Sequence, residues 1–154
     1  MKVVKGNLLT LAKEGNFDLI IHGANCFHKM GSGIAAQIAK EFPQAVVSDN
    51  CTLYGSPFKL GTFSFAHAAN IASTPVYFQI INLYTQFLPG RNFEYSALIK
   101  GLDALKNAYI LDKKSIGVPW IGCGIGGGDR QVVETILKHW ETQSNVSLTV
   151  VEFP

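Results

Sequence analysis

The chain has 154 residues, 47% hydrophobic and 16% charged, with a formal net charge of +2, 15 glycines and 3 cysteines. One core serves that length, so one domain is expected over residues 1–154, with no need of disulfides or a structural metal to fold. Ordinary apolar content excludes a disordered charged-tail protein, and so small a charge gives no strong nucleic-acid signal.

Cys26, Cys51 and Cys123 are odd in number and form no CxxC pair. A disulfide framework is therefore not expected, and a reducing, cytoplasmic setting is. Met1–Gly6 has no apolar h-region of a signal peptide. The longest apolar run, Val76–Leu83, is interrupted by Gln79 and Asn82, so no membrane partner is expected.

Taken in order, Met1–Lys5 reads as a strand and Phe17–His22 as a short buried one. Ile34, Ala35, Ile38, Ala39 and Phe42 recur at helical spacing over Ser32–Phe42, which Pro43 closes. Gln44–Tyr54 is a further helix candidate. Gly61–Ala68 and Val76–Leu83 have the β-branched and aromatic content of strands. Leu98, Leu102, Leu105 and Tyr109 share one face of a helix over Phe93–Leu111. Ser115–Trp120 reads as another short strand, followed by a glycine turn over Gly122–Gly128. Asp129 then caps a helix over Arg130–Gln143, and Val146–Phe153 ends the chain as a strand. Strands alternating with helices predict an α/β fold, its mixed or mostly parallel sheet covered on both faces.

Two segments share one plan: an apolar strand, a glycine-rich turn, then a helix. The first runs Ile20-Ile21-His22-Gly23-Ala24-Asn25-Cys26-Phe27-His28-Lys29-Met30-Gly31-Ser32-Gly33-Ile34-Ala35. The second runs Val118-Pro119-Trp120-Ile121-Gly122-Cys123-Gly124-Ile125-Gly126-Gly127-Gly128-Asp129. Glycine lets backbone N–H groups approach an anion, and a helix N-terminus adds donors and a positive dipole end. Two such loops facing each other are expected to hold a diphosphate. Gly31-Ser32-Gly33-Ile34-Ala35-Ala36 satisfies the dinucleotide fingerprint G-x-G-x-x-A. It follows its strand too loosely, however, and the acid at the right distance, Asp49, falls in a predicted helix. No Lys-Ser or Lys-Thr completes a P-loop.

At these residues the chain resembles the macro domain family of ADP-ribose-binding α/β domains. Within it, the likeness is to the branch typified by the yeast ADP-ribose 1''-phosphate phosphatase. That branch also holds the terminal ADP-ribose protein glycohydrolase and antitoxins that strip ADP-ribose from DNA. The matching stretches are Lys5–Leu9, Ile21–Cys26, Met30–Ala35 and Pro119–Gly124. The resemblance implies a three-layer α/β/α macro domain whose mixed, mostly parallel sheet has about six strands. It places Asn7 and Leu8 beside adenine, and Asn25 on the distal ribose next to Gly23 and Ala24. Met30, Gly31, Ser32, Gly33, Ile34 and Ala35 would wrap that ribose and a phosphate. Ile121, Gly122, Cys123, Gly124, Ile125 and Gly126 would cover the diphosphate. Phe153 would contact adenine or belong to the core.

Two departures matter. The glycohydrolase has a lysine where Gln86 stands here, and an acid just after Gly-Cys-Gly where this chain has Ile125-Gly126. A lysyl covalent route is therefore not expected. His22 matches the histidine of the yeast-type phosphatase. It is expected to activate water or act at a terminal phosphate, with Asn25 and Asp129 completing the catalytic set; the competing reading is a core histidine closing a strand.

His22, Cys26 and His28 do not have a zinc spacing, so no metal and no cofactor are expected. Cys123 is either a nucleophile with a lowered pKa or a small residue in a tight loop. Asp129 is a helix cap or an acid. Phe87 and Phe93 either close over the ribose as a lid or staple the following helix. The expected function is a monomeric hydrolase of ADP-ribose derivatives, with ADP-ribose or ADP-ribose 1''-phosphate as its partner and phosphate release as its first chemistry. Release of ADP-ribose from protein or nucleic acid comes second, a non-catalytic ADP-ribose reader third, and a nicotinamide dehydrogenase last.

Overall fold

A computed structural model describes residues 1–154. The strands are β1 (Lys2–Lys5), β2 (Leu19–Asn25), β3 (Phe63–Asn70), β4 (Val76–Gln86), β5 (Ser115–Val118) and β6 (Ser147–Glu152). The helices are α1 (Leu8–Lys13), α2 (Gly33–Glu41), α3 (Pro43–Asn50), α4 (Tyr95–Ala108) and α5 (Arg130–Ser144), with a short 3-10 turn at Pro57–Lys59. The six strands form one sheet in the order β1-β6-β5-β2-β4-β3. Only the β3–β4 pair is antiparallel. The expected three-layer α/β/α architecture is the one observed.

The layers follow from side-chain parity. In a strand, alternate residues face opposite sides. Leu19 and Ile21 of β2 join a core with Leu98, Leu102 and Leu105 of α4 and Val133, Leu137 and Trp140 of α5. Ile20 faces the other way, into a core with Leu8, Leu9 and Ala12 of α1, Ile38 of α2 and Ala45 of α3. Trp140 Nε1 donates to the Leu102 carbonyl at 2.9 Å, which fixes α5 against α4.

Helix α1 was not predicted. Its six residues are too short to show a period, and its start is set by Asn7, whose Oδ1 accepts from Thr10 N at 3.1 Å. Pro43 ends α2 and opens α3 at a first-turn position, where its missing N–H costs nothing. Strand β2 runs on to Asn25, so Gly23 and Ala24 belong to the sheet, not to the glycine turn. The sheet has one irregularity beside them. Ala24 pairs with Tyr84 and Asn25 with Gln86, leaving Thr85 as an extra residue on β4.

Candidate functional site

Five strands, β1, β6, β5, β2 and β4, run parallel, so their carboxyl ends lie side by side. The loops leaving them enclose a cleft of about 910 Å³, at the upper end of small-molecule sites. Four steps of about 4.8 Å make its sheet-edge length about 19 Å. Gly6, Leu8, Gln37, Val151, Glu152 and Phe153 line the β1/β6 end, and Asn25, Lys29, Thr85, Gln86, Pro89 and Gly90 the β2/β4 end. Met30–Ala35 and Ile121–Gly126 line the stretch between them.

The first glycine loop is held by Asn25. Its Oδ1 accepts from Phe27 N at 3.0 Å and Lys29 N at 3.4 Å, and its Nδ2 donates to the Lys29 carbonyl at 2.8 Å. One amide hydrogen stays uncommitted. Beyond this turn, the N–H groups of Gly31, Ser32, Gly33, Ile34 and Ala35 have no backbone acceptor, and Ser32 provides no side-chain cap. Gly33 has φ +57, and a Cβ there or at Gly31 would meet nothing within 4 Å. These are free helix-start donors beside open space, an anion-binding arrangement.

The second loop has a different reason for its glycines. A Cβ on Gly122 would lie 2.2 Å from Phe93 Cδ1, one on Gly126 3.1 Å from Phe93 Cβ, and one on Gly128 2.8 Å from Phe93 Cδ2. The loop is wrapped on the Phe93 ring, and these positions are glycine for packing. Only Gly124 faces open space. The N–H groups of Gly122, Gly124, Ile125 and Gly126 have no backbone acceptor, whereas Gly128 N is tied to the Gly122 carbonyl at 2.7 Å. Phe93 is thus a staple, edge-on to Tyr95, and Phe87 packs edge-on against Phe27. Cys123 does not suit a nucleophile: burial pushes its thiol pKa up, and its Sγ contacts the Ile121 carbonyl.

At the β1/β6 end, Trp120 Nε1 and Arg130 Nη1 both donate to Glu152 Oε1, at 2.8 and 3.1 Å. The Arg130 guanidinium lies 4.9 Å from the Trp120 ring centroid. Asn7 does not line this end. Its Oδ1 caps α1 and its amide donates to Gln37 Oε1 at 3.2 Å, while its neighbours Gly6 and Leu8 line the cleft. At the other end, Gln86 Nε2 donates to the Leu88 and Gly90 carbonyls, pinning the Pro89–Gly90 loop at the cleft wall.

His22 requires the main correction. It follows Ile20 in parity, is fully buried beneath α3 and does not line the cleft. Its Nε2 donates to Asn82 Oδ1 at 2.6 Å. Asn82 Nδ2 donates to Ser64 Oγ, Ser64 Oγ to Tyr84 OH, and Tyr84 OH to Asp49 Oδ1 at 2.7 Å. A buried carboxylate at the end of this relay fixes the direction of every donor, leaving Nδ1 with no partner. Burial holds the His22 pKa below its ordinary value, so the ring is neutral in the core. Asp49 is therefore core structure, which removes the dinucleotide reading. Lys59 joins this region, 4.5 Å from the Tyr84 ring centroid and 3.4 Å from the Cys26 carbonyl; burial lowers its pKa.

Asp129 is likewise outside the cleft. It caps α5, its Oδ1 accepting from Gln131 N at 2.8 Å, so its expected part in catalysis is corrected. His28 bonds Thr52 on another side of its loop, and no three His, Cys, Asp or Glu side chains converge. The sequence reading missed Lys29, Gln37, Thr85, Trp120, Arg130 and Glu152 as cleft residues. Lys29 and Trp120 lie inside the two glycine segments without having been singled out; no motif marks Gln37, Thr85, Arg130 or Glu152, which sheet order brings to the cleft. No helix is long and apolar enough to cross a membrane.

A family model described as Macro domain matches residues 21–137. The chain is 39% identical over 156 residues to an uncharacterized 17.5 kDa protein of the tk-vs intergenic region of Enterobacteria phage T4, covering 99% of this chain and 96% of that one. The macrodomain of Mycobacterium tuberculosis DarG shares the fold with a TM-score of 0.73 at 20% identity, over 99% of this chain and 97% of that one. Thermosipho africanus DarTG in complex with ADP-ribose does so with a TM-score of 0.74 at 17% identity, over 93% of this chain and 39% of that one. With the family model spanning most of its length and the phage relative nearly all of it, this chain belongs to the macro domain family.

Proposed function

We propose that the cleft binds ADP-ribose and that the chain hydrolyses the terminal phosphate of ADP-ribose 1''-phosphate. The observation that carries the reading is the pair of glycine loops with unclaimed N–H groups, Gly31–Ala35 and Gly122 with Gly124–Gly126, lining one cleft. Thermosipho africanus DarTG, which has this fold, is described in complex with ADP-ribose. In this reading Leu8 and Phe153 flank the adenine and the two loops take the diphosphate. The free amide hydrogen of Asn25 goes to the distal ribose.

Phosphoryl transfer passes through a loose transition state that needs positioning and charge stabilisation more than covalent chemistry. Water attacks phosphorus, the bond from phosphorus to the ribose oxygen breaks, and ADP-ribose and inorganic phosphate leave. With His22 outside the cleft, the phosphoryl oxygens of the substrate relay one proton of the water to the departing ribose oxygen, and the other stays on the inorganic phosphate. A second reading, a non-catalytic reader, is favoured by the lack of any imidazole or carboxylate at the β2/β4 end.

Isothermal titration with ADP-ribose is the first test, and absence of binding overturns both readings. Phosphate release from ADP-ribose 1''-phosphate separates enzyme from reader. Assays on ADP-ribosylated protein and DNA run beside it. Release there, with none from the phosphate ester, assigns the chain to the de-ADP-ribosylating hydrolases.

A further inference from the structure

The β1/β6 end of the cleft carries two side-chain atoms whose polarity the protein fixes from behind. The first belongs to Gln37. Thr10 N, a backbone group that can only donate, lies 3.1 Å from Asn7 Oδ1, which orients the Asn7 amide. Asn7 Nδ2 therefore donates to Gln37 Oε1 at 3.2 Å, and Gln37 Nε2, which has no partner, is left for the cleft.

The second belongs to Glu152. Trp120 Nε1 and Arg130 Nη1 both donate to its Oε1, at 2.8 and 3.1 Å, and no donor reaches Oε2. Side-chain atoms that are both buried and unpartnered occur at His22, Gln79, Thr85 and Ser144. Gln37 Nε2 and Glu152 Oε2 are not among them, so both are open, and both residues line the same end of the cleft. One donor and one acceptor thus stand there, each set by its own partners.

We propose that Gln37 and Glu152 read the edge of the base, Gln37 Nε2 donating to a ring nitrogen and Glu152 Oε2 accepting from the 6-amino group. This rests on the reading that the cleft binds ADP-ribose with its base at the β1/β6 end. Adenine carries a donor beside an acceptor on that edge, whereas a 6-oxopurine has an acceptor where the amine stands. Its keto oxygen would meet the Glu152 carboxylate. The diphosphate, held by the two loops, keeps the base from turning over to reverse the pairing. Asn7 is a positioning residue. An aspartate there would still accept from Thr10 N and cap α1, but it would hold a second acceptor toward Gln37. The Gln37 amide would then turn round and present Oε1 to the cleft. The side chain that starts α1 thereby sets the base preference of a cleft it does not line.

The test is isothermal titration with ADP-ribose and with inosine diphosphate ribose, in which hypoxanthine replaces adenine. The wild-type protein is expected to bind ADP-ribose about tenfold more tightly. Asn7→Asp lowers that preference to about threefold. Glu152→Gln, which still accepts from Trp120 and Arg130 but turns the free acceptor into a donor, lowers it to within about twofold. Gln37→Leu also lowers it to about threefold, and Asn7→Asp changes it no further in the Gln37→Leu background, because Asn7 acts through Gln37. Equal affinity of the wild-type protein for the two ligands overturns the proposal. So does a loss in Asn7→Asp or Glu152→Gln that falls equally on both ligands, the mark of a merely structural role. An Asn7→Asp effect that persists in full beside Gln37→Leu overturns the positioning role. Failure of ADP-ribose itself to bind overturns the proposed function instead.

Discussion

Phe93 occupies the space that a side chain on Gly122 would need: a Cβ there would stand 2.2 Å from Phe93 Cδ1, on backbone already at φ +76. The ring anchors the loop that borders the cleft, so one loop separates glycines required by packing from a glycine left open to a ligand.

That separation is measurable. Gly122→Ala is expected to destabilise the protein by about 3 kcal/mol or more, from positive φ and overpacking together. Gly124→Ala meets nothing within 4 Å, and its stability is expected to stay within about 0.5 kcal/mol. Its methyl group enters the path of the diphosphate, however, so ADP-ribose affinity falls by about tenfold. Urea unfolding and titration calorimetry read the two effects. Unchanged affinity in Gly124→Ala would remove the second loop from the binding site.

His22 gives a pH dependence of stability in place of catalysis. Its folded pKa lies below the ordinary value, so above about pH 6.5 the ring is neutral in both folded and unfolded chains. As pH falls through about 6.5 the unfolded chain takes up the proton first, and stability is lost by up to about 1.4 kcal/mol per pH unit until the depressed folded value is reached. In His22→Gln this component disappears, and any phosphate release by the folded protein persists. A matching pH profile for variant and wild type, measured by urea unfolding between pH 5 and 8, would contradict the assignment.

Tyr84→Phe tests the relay behind the cleft. The Asp49 carboxylate, 1% exposed, loses the donor at 2.7 Å, while the ring beneath Lys59 is kept. The expected cost is about 1–3 kcal/mol. ADP-ribose affinity is expected to be unchanged, because neither residue lines the cleft. Weakened binding at full stability would show that the relay reaches the ligand.

Asn25→Asp preserves the acceptor for Phe27 N and Lys29 N but removes the donor to the Lys29 carbonyl and the spare amide hydrogen. A carboxylate at that point also repels phosphate. Affinity for ADP-ribose is expected to fall more than about tenfold, with a stability loss of about 1 kcal/mol. Calorimetry and thermal unfolding distinguish these outcomes, and unaltered affinity would place the distal ribose elsewhere.

Most elements were legible because their signals are local. Helical spacing marked α2, α4 and α5, short apolar runs marked the strands, and glycine after a strand marked both loops. Helix α1 escaped because its six residues show no period, and Gly23–Asn25 escaped because glycine suggests a turn where the sheet continues. The cleft loops were visible for the same local reason, but the use of their neighbours was not. His22 stays out of the cleft because it lies three residues short of the carboxyl end of β2, buried in the core with its ring held by Asn82 of β4. The Asn7 amide went to Gln37, and Trp120, Arg130 and Glu152 met only because β5 and β6 are adjacent in the sheet. A sequence by itself determines periodicity, capping and the places where backbone can approach a ligand, since those depend on near neighbours along the chain. Which face a side chain takes, and whether its donors are already spent, depends on register and partners far away in sequence, and those only the tertiary structure decides.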